Sequence, residues 1–251
     1  VEGLSGRAEA SALLGDATLL AAEAMVLPGV ERAAMAIELT TALDAEEPAR
    51  VWQVRFLANE SLGRIDEAAR AVTRLAAIEA SRAGSILQSL HDRMVSGFEH
   101  AKTVGDSEAA SRRAGLTVLL AEKLVEWSSM NDPVSTGKDR RGLRVQLAEA
   151  LLRAGEAQRA QALFDELAGE SSDQENGVGE SYGRAEAQFL QERYGDALPA
   201  FAKLATTLRD DQAIRWKALL RDLQCRTRLG HPPDGILKVL AQQRYLHPDL
   251  G

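Results

Sequence analysis

The chain is nearly without cysteine. Cys225 stands alone among 251 residues, so no internal disulfide can hold the fold. Aromatic residues make up only 4%, and no long run rich in Val, Ile and Thr occurs, which removes the usual material of a sheet. No apolar run approaches the roughly 18 residues needed to cross a bilayer as a helix. Positive charge is the scarcer sign. Thirty Lys and Arg face 37 Asp and Glu, a net charge of −7, which argues against a nucleic-acid partner because such proteins present a basic field.

Ala, Leu, Arg and Glu dominate, and all four are strong helix formers. An all-α fold follows. The charge is unevenly placed. Residues 1–50 hold three Arg against nine Asp and Glu, whereas residues 209–245 hold eight Lys and Arg against four Asp. The chain begins at Val1 rather than Met and reads as a fragment of a longer chain, with its compartment left open.

One spaced pattern recurs. Gly63, Ala68, Val72 and Leu75 sit at offsets 0, 5, 9 and 12; Gly155, Ala160, Phe164 and Leu167 repeat them. Glu192, Ala197, Phe201 and Leu204 repeat them again with Glu in the glycine slot, and Gly230, Gly235 and Val239 form a weaker copy. A glycine that ends one helix, followed by residues that pack the next helix back on it, describes a helical hairpin. Stacked hairpins make a solenoid. Ala160, Phe164, Ala197 and Phe201 are expected in the core.

The helical period predicts about twelve helices. The first spans about 7–27 and stops at Pro28-Gly29; others cover about 30–44, 49–62 and 66–82. Two longer helices, about 85–104 and 107–129, join at Gly105-Asp106 and depart from the repeat. Residues 131–137 and 169–179 read as polar loops, and Pro232-Pro233 opens a last helix ending at His247-Pro248. The expectation is a single domain over 1–251, irregular over 83–138 and most regular over 139–251.

These repeats resemble the tetratricopeptide family, whose units are 34-residue helix–turn–helix hairpins. Trp52, Ala148, Ala185, Tyr194 and Pro248 fall at or near consensus slots. Glu192 replaces the turn glycine, Gly235 replaces the second-helix alanine, and the spacings of 37 and 38 residues exceed the family's unit. The match covers 49–80 and 139–251. The resemblance implies a right-handed α-solenoid with a concave groove for protein segments.

Catalytic patterns are weak. Gly179-Glu180-Ser181-Tyr182-Gly183 fits the nucleophile elbow literally, but no strand pattern precedes the serine as that elbow requires. His91, His100, His231 and His247 form no short metal-ligand spacing. Gly137-Lys138 lacks the earlier glycine of a phosphate loop, and Asp173 to Gly177 lacks calcium-loop spacing. No cofactor is expected, and the chain is read as not an enzyme.

Lys217 and Arg221 stand i, i+4 on one helix face, with Arg228 nearly in line. In tetratricopeptide domains that capture a C-terminal carboxylate, basic residues at such spacing clamp the anion. The resemblance would also require Lys and Asn two repeats earlier, where Val145 and Glu149 stand. Tyr182 and Gln224 are further groove candidates, while Trp52, Phe56 and Trp216 are expected mainly as core. The expected function is a non-catalytic scaffold holding an acidic protein or peptide in the concave groove. The alternative is an architectural spacer in a larger, envelope-associated assembly; an all-α enzyme is the remote third.

Overall fold

The computed structural model describes residues 30–41, 49–78, 81–131, 137–170, 177–209 and 213–246. Among these residues the chain forms eleven helices and no strand. They are α1 (Val30–Thr41), α2 (Ala49–Ser61), α3 (Ile65–Ala76), α4 (Ser81–Val104), α5 (Ser107–Asn131) and α6 (Gly137–Arg153), then α7 (Ala157–Glu170), α8 (Gly177–Leu190), α9 (Tyr194–Thr207), α10 (Ala213–Arg228) and α11 (Pro233–Leu246). The helix expected over 7–27 lies outside the described residues.

The recurring turn has one geometry. Gly63, Gly155 and Gly230 take φ of 70°, 79° and 73°, and Glu192 takes 61°. At each, two backbone bonds close the helix end. Gly63 N–H donates to Glu60 O at 3.0 Å and Arg64 N–H to Asn59 O at 2.8 Å; Glu192 N–H donates to Phe189 O at 3.0 Å and Arg193 N–H to Gln188 O at 3.0 Å. This is the Schellman closure, which satisfies the last carbonyls and needs a left-handed residue. Glycine adopts that conformation at no steric cost; a side chain does not.

The middle hairpin follows the same rule more closely than its sequence suggests. Gly105 has φ 79°, and Asp106 N–H donates to Ala101 O at 2.9 Å. Ala110, Ala114 and Thr117, at offsets 5, 9 and 12, are all buried. Asp106 Oδ1 then accepts from Ala109 N–H at 2.9 Å and caps α5.

Contacts divide the chain into two units, Val1–Leu143 and Arg144–Gly251, and the division falls within α6. In the first unit, α1 packs on α2, α2 on α3, and α4 on α5, with α3 touching both α4 and α5. Phe56, Val72, Leu75, Leu87, Leu90 and Leu120 form its core. Arg113 of α5 reaches Glu60 at 2.9 Å and the Gly97 carbonyl at 3.0 Å, tying α5 to α2 and α4.

In the second unit α7, α8, α9 and α10 pack in sequence, α8 also meets α10, and α11 touches α10. Phe164, Leu167, Ala197, Phe201 and Ala160 are buried, as the offsets predict. Tyr182 and Phe189 meet the Phe201 ring edge-on, at centroid distances of 5.6 and 6.5 Å.

Several boundaries differ from expectation. The helix expected over 66–82 ends at Ala76, where turn bonds from Ala77 and Ile78 close it without a glycine. Ile78 packs on the first core, and α4 begins afresh at Ser81. Gly84, which falls between the helices expected over 66–82 and 85–104, lies buried inside α4 with Trp127 against it. The polar stretch 169–179 is partly helical: α7 runs through Glu170 and α8 starts at Gly177. Residues 171–176 and His247-Pro248 lie outside the described residues.

Candidate functional site

The helix α10, AIRWKALLRDLQCRTR, buries one side and presents the other. Arg215, Ala218, Asp222, Leu223 and Cys225 are buried. Lys217, Leu220 and Arg228 are exposed, with Arg221 and Gln224 half-buried between them. Positions 217, 220, 224 and 228 recur at steps of three and four, so they form one outward stripe.

Three of the five residues singled out from sequence meet at one place. Arg221 Nε donates to Glu186 Oε2 at 2.7 Å, its Nη2 binds the other Glu186 oxygen, and its Nη1 donates to Gln224 Oε1 at 2.8 Å. The guanidinium lies 4.3 Å from the centre of the Phe189 ring. Such a two-pronged pair holds the planar head rigidly. Burial acts to lower the Arg221 pKa, but Glu186 outweighs it and holds the group above its ordinary value. Tyr182 stands beside this pair. Burial, with help from the Glu186 charge and against the opposing pull of Arg221, pushes its hydroxyl up to about 12.

Arg221 thus has an internal partner on α8, 35 residues earlier. Glu186 was not found from sequence, since no local spacing links it to α10. Among the described residues Lys217 and Arg228 form no ion pair. On the inner side, Arg226 grips Asp222 with bonds of 2.8 and 3.0 Å. Burial first, then the Asp222 charge, raises the Cys225 thiol to about 11.

A second feature belongs to the first unit. Ile37 of α1, Trp52, Arg55 and Asn59 of α2, and Glu67 and Arg70 of α3 line an open cleft of about 250 Å³. Arg55 lies 4.7 Å from the Trp52 ring centre and donates Nη2 to the Thr40 carbonyl at 2.8 Å. Trp52 is therefore half-exposed at a cleft edge, while Phe56, one turn on, is fully buried.

The remaining motifs resolve structurally. Ser181 is exposed within helix α8, with no strand before it among the described residues. Gly183, the last glycine of that motif, is buried against Phe164. His91 is buried beside Asp92, with Nδ1 to Oδ1 at 3.3 Å, whereas His100 and His231 are exposed. Glu149, at one clamp-equivalent position, pairs with Arg153 on its own helix. Among the described residues, no group of three or more His, Cys, Asp and Glu could hold a metal, and no helix is long and apolar enough to cross a membrane.

No protein-family model matches the chain, and no curated protein matches it.

Proposed function

We propose that this chain is a non-catalytic protein-interaction scaffold. Each unit is read as a stack of tetratricopeptide-like hairpins with the right-handed turn of an α-solenoid, and the second unit binds an acidic peptide or partner domain along the outward stripe of α10. The observation that carries the reading is the composition of that stripe: Lys217, Leu220, Gln224 and Arg228 face outward together on a helix whose opposite side is largely buried. The recurring closure at Gly155, Glu192 and Gly230 supports the repeat reading, because each hairpin buries one face and leaves another for a partner.

Arg221 has a different part from the one its spacing suggests. Bound by Glu186, it positions Gln224 and holds α10 against α8. Lys217 and Arg228 supply the charge. Exposed cations steer an acidic partner and give a salt-dependent association rather than a tight one.

The test is capture from cell extract with the wild-type chain and with Lys217→Glu/Arg228→Glu. Both residues are exposed, so the variant keeps the fold. Proteins held by the wild type at low salt should be lost from the variant and from the wild type at high salt. Identical captured sets from both chains would overturn the reading.

A further inference from the structure

The last hairpin of the second unit, α10 with α11, is unlike the hairpins before it. Leu220 of α10 is 56% exposed, Leu229 at its end 44%, and Leu237 and Leu240 of α11 60% and 47%. These four are half of the exposed large apolar residues among the described ones, gathered within 21 positions.

Its charges differ too. From Arg144 through α9, Arg144, Arg153, Arg159, Arg184 and Arg193 each hold an acid, leaving Lys203 as the exception. On the last hairpin Lys217, Arg228 and Lys238 are exposed and form no ion pair among the described residues. Asp234 is the exposed acid there, and Asp222 is buried and already taken by Arg226. Exposed leucines, and cations with no acid partner among the described residues, thus occur on the same hairpin.

We infer that the α10–α11 hairpin docks an amphipathic helix of a partner protein, with a leucine-type apolar stripe against Leu220, Leu229, Leu237 and Leu240 and acidic flanks toward Lys217, Arg228 and Lys238. The inference rests on the proposed binding role of α10 and specifies the partner's chemistry. A helix fits because Leu220 stands on α10, Leu237 and Leu240 on α11 and Leu229 at the turn between them, and an apolar helix face can cover two adjacent helices that touch only lightly. Charge complementarity selects acidic flanks. A membrane surface fits less well, because the chain's net charge of −7 opposes attraction to anionic lipid.

The probe is a synthetic, capped and fluorescently labelled 18-residue peptide with Leu at i, i+3, i+4 and i+7 spacing and Glu on both flanks. One control has Lys in place of Glu; a second scrambles the order. Anisotropy titration of the full chain should give binding by the Leu/Glu peptide at least tenfold tighter than by either control. Raising salt from 50 to 300 mM should weaken it severalfold. Leu237→Ser/Leu240→Ser should lose at least tenfold with unchanged circular dichroism, since both leucines are exposed. Equal binding by all three peptides, or no binding, overturns the inference. So does wild-type affinity in the leucine variant; if Lys217→Glu/Arg228→Glu alone abolishes binding, the α10 reading stands and the helical docking fails. Sedimentation showing a dimer that the leucine variant breaks would assign the face to a second copy instead. Leucine-dependent binding to phosphatidylserine vesicles without peptide binding would assign it to lipid.

Discussion

The Phe164 ring stands where a side chain on residue 183 would have to go. A β-carbon built on Gly183 falls 2.3 Å from Phe164 Cζ, far inside contact distance. The glycine therefore lets α7 and α8 close on each other through that ring. Gly183→Ala should destabilise by about 1–3 kcal/mol through overpacking. Phe164→Ala, which empties the same seam, should cost about 3–5 kcal/mol. Gly115→Ala is the counter-case: it lies mid-helix in α5 with nothing within 4 Å of the added carbon, and should stabilise by about 1 kcal/mol. Urea unfolding midpoints check all three, and an unaffected Gly183→Ala would show that the seam is loose.

Glu192 occupies a glycine's conformation. Its φ of 61° matches the turn glycines, yet it carries a side chain. Left-handed backbone costs a non-glycine residue roughly 1–2 kcal/mol. Glu192→Gly should therefore raise stability by about 1 kcal/mol, despite the greater freedom of glycine in the unfolded chain. Thermal unfolding should show a rise of about 2–4 °C for a chain of this size. A fall in melting temperature would mean that Glu192 makes a compensating contact.

Glu186 and Lys217 separate structure from binding. Glu186→Ala leaves the half-buried Arg221 head without its carboxylate and should cost about 2 kcal/mol. Lys217→Ala removes an exposed cation with no ion pair among the described residues and should change stability by less than about 0.5 kcal/mol. Chemical denaturation of the two variants checks the contrast. Equal costs would contradict the assignment of Arg221 to positioning.

Alkaline pH should expose Tyr182 and Cys225. Tyr182 rises from 10.0 to about 12 and Cys225 from 9.0 to about 11, chiefly by burial. Below about pH 8 both groups are protonated in the folded and unfolded chain, and neither adds pH dependence. Above it, the unfolded chain sheds these protons first, so stability should fall from about pH 8 through 12. Tyr182→Phe should flatten the part above pH 10 and spare the part between 9 and 10. Native Cys225 should resist a disulfide reagent at pH 8 and react on unfolding.

The turns were readable in the sequence because their chemistry is local. Gly63, Gly155 and Gly230 announce left-handed helix ends, and the offsets to Phe164 and Phe201 follow from one helix packing on the last. The Gly105 hairpin was harder to see because Ala114 and Thr117 fill slots held elsewhere by large apolar residues. The stop at Ala76 carried no glycine or proline; packing of Ile78 decides it, and no local propensity reports that. In the candidate site, the periodic face of α10 was legible as 217, 221, 224 and 228. The bond from Arg221 to Glu186 was not, because it joins residues 35 apart through the packing of α8 on α10.

The most direct measurement is site-specific photo-crosslinking in cells. A photo-reactive amino acid replaces Leu220, on the outward face of α10, or Gln158, exposed on α7, in otherwise native chains. The account predicts a discrete heavier product from position 220, abolished by Lys217→Glu/Arg228→Glu, and none of that size from position 158. No product from position 220, or the same product from both positions, would contradict the claim that this stripe is where the protein binds its partner.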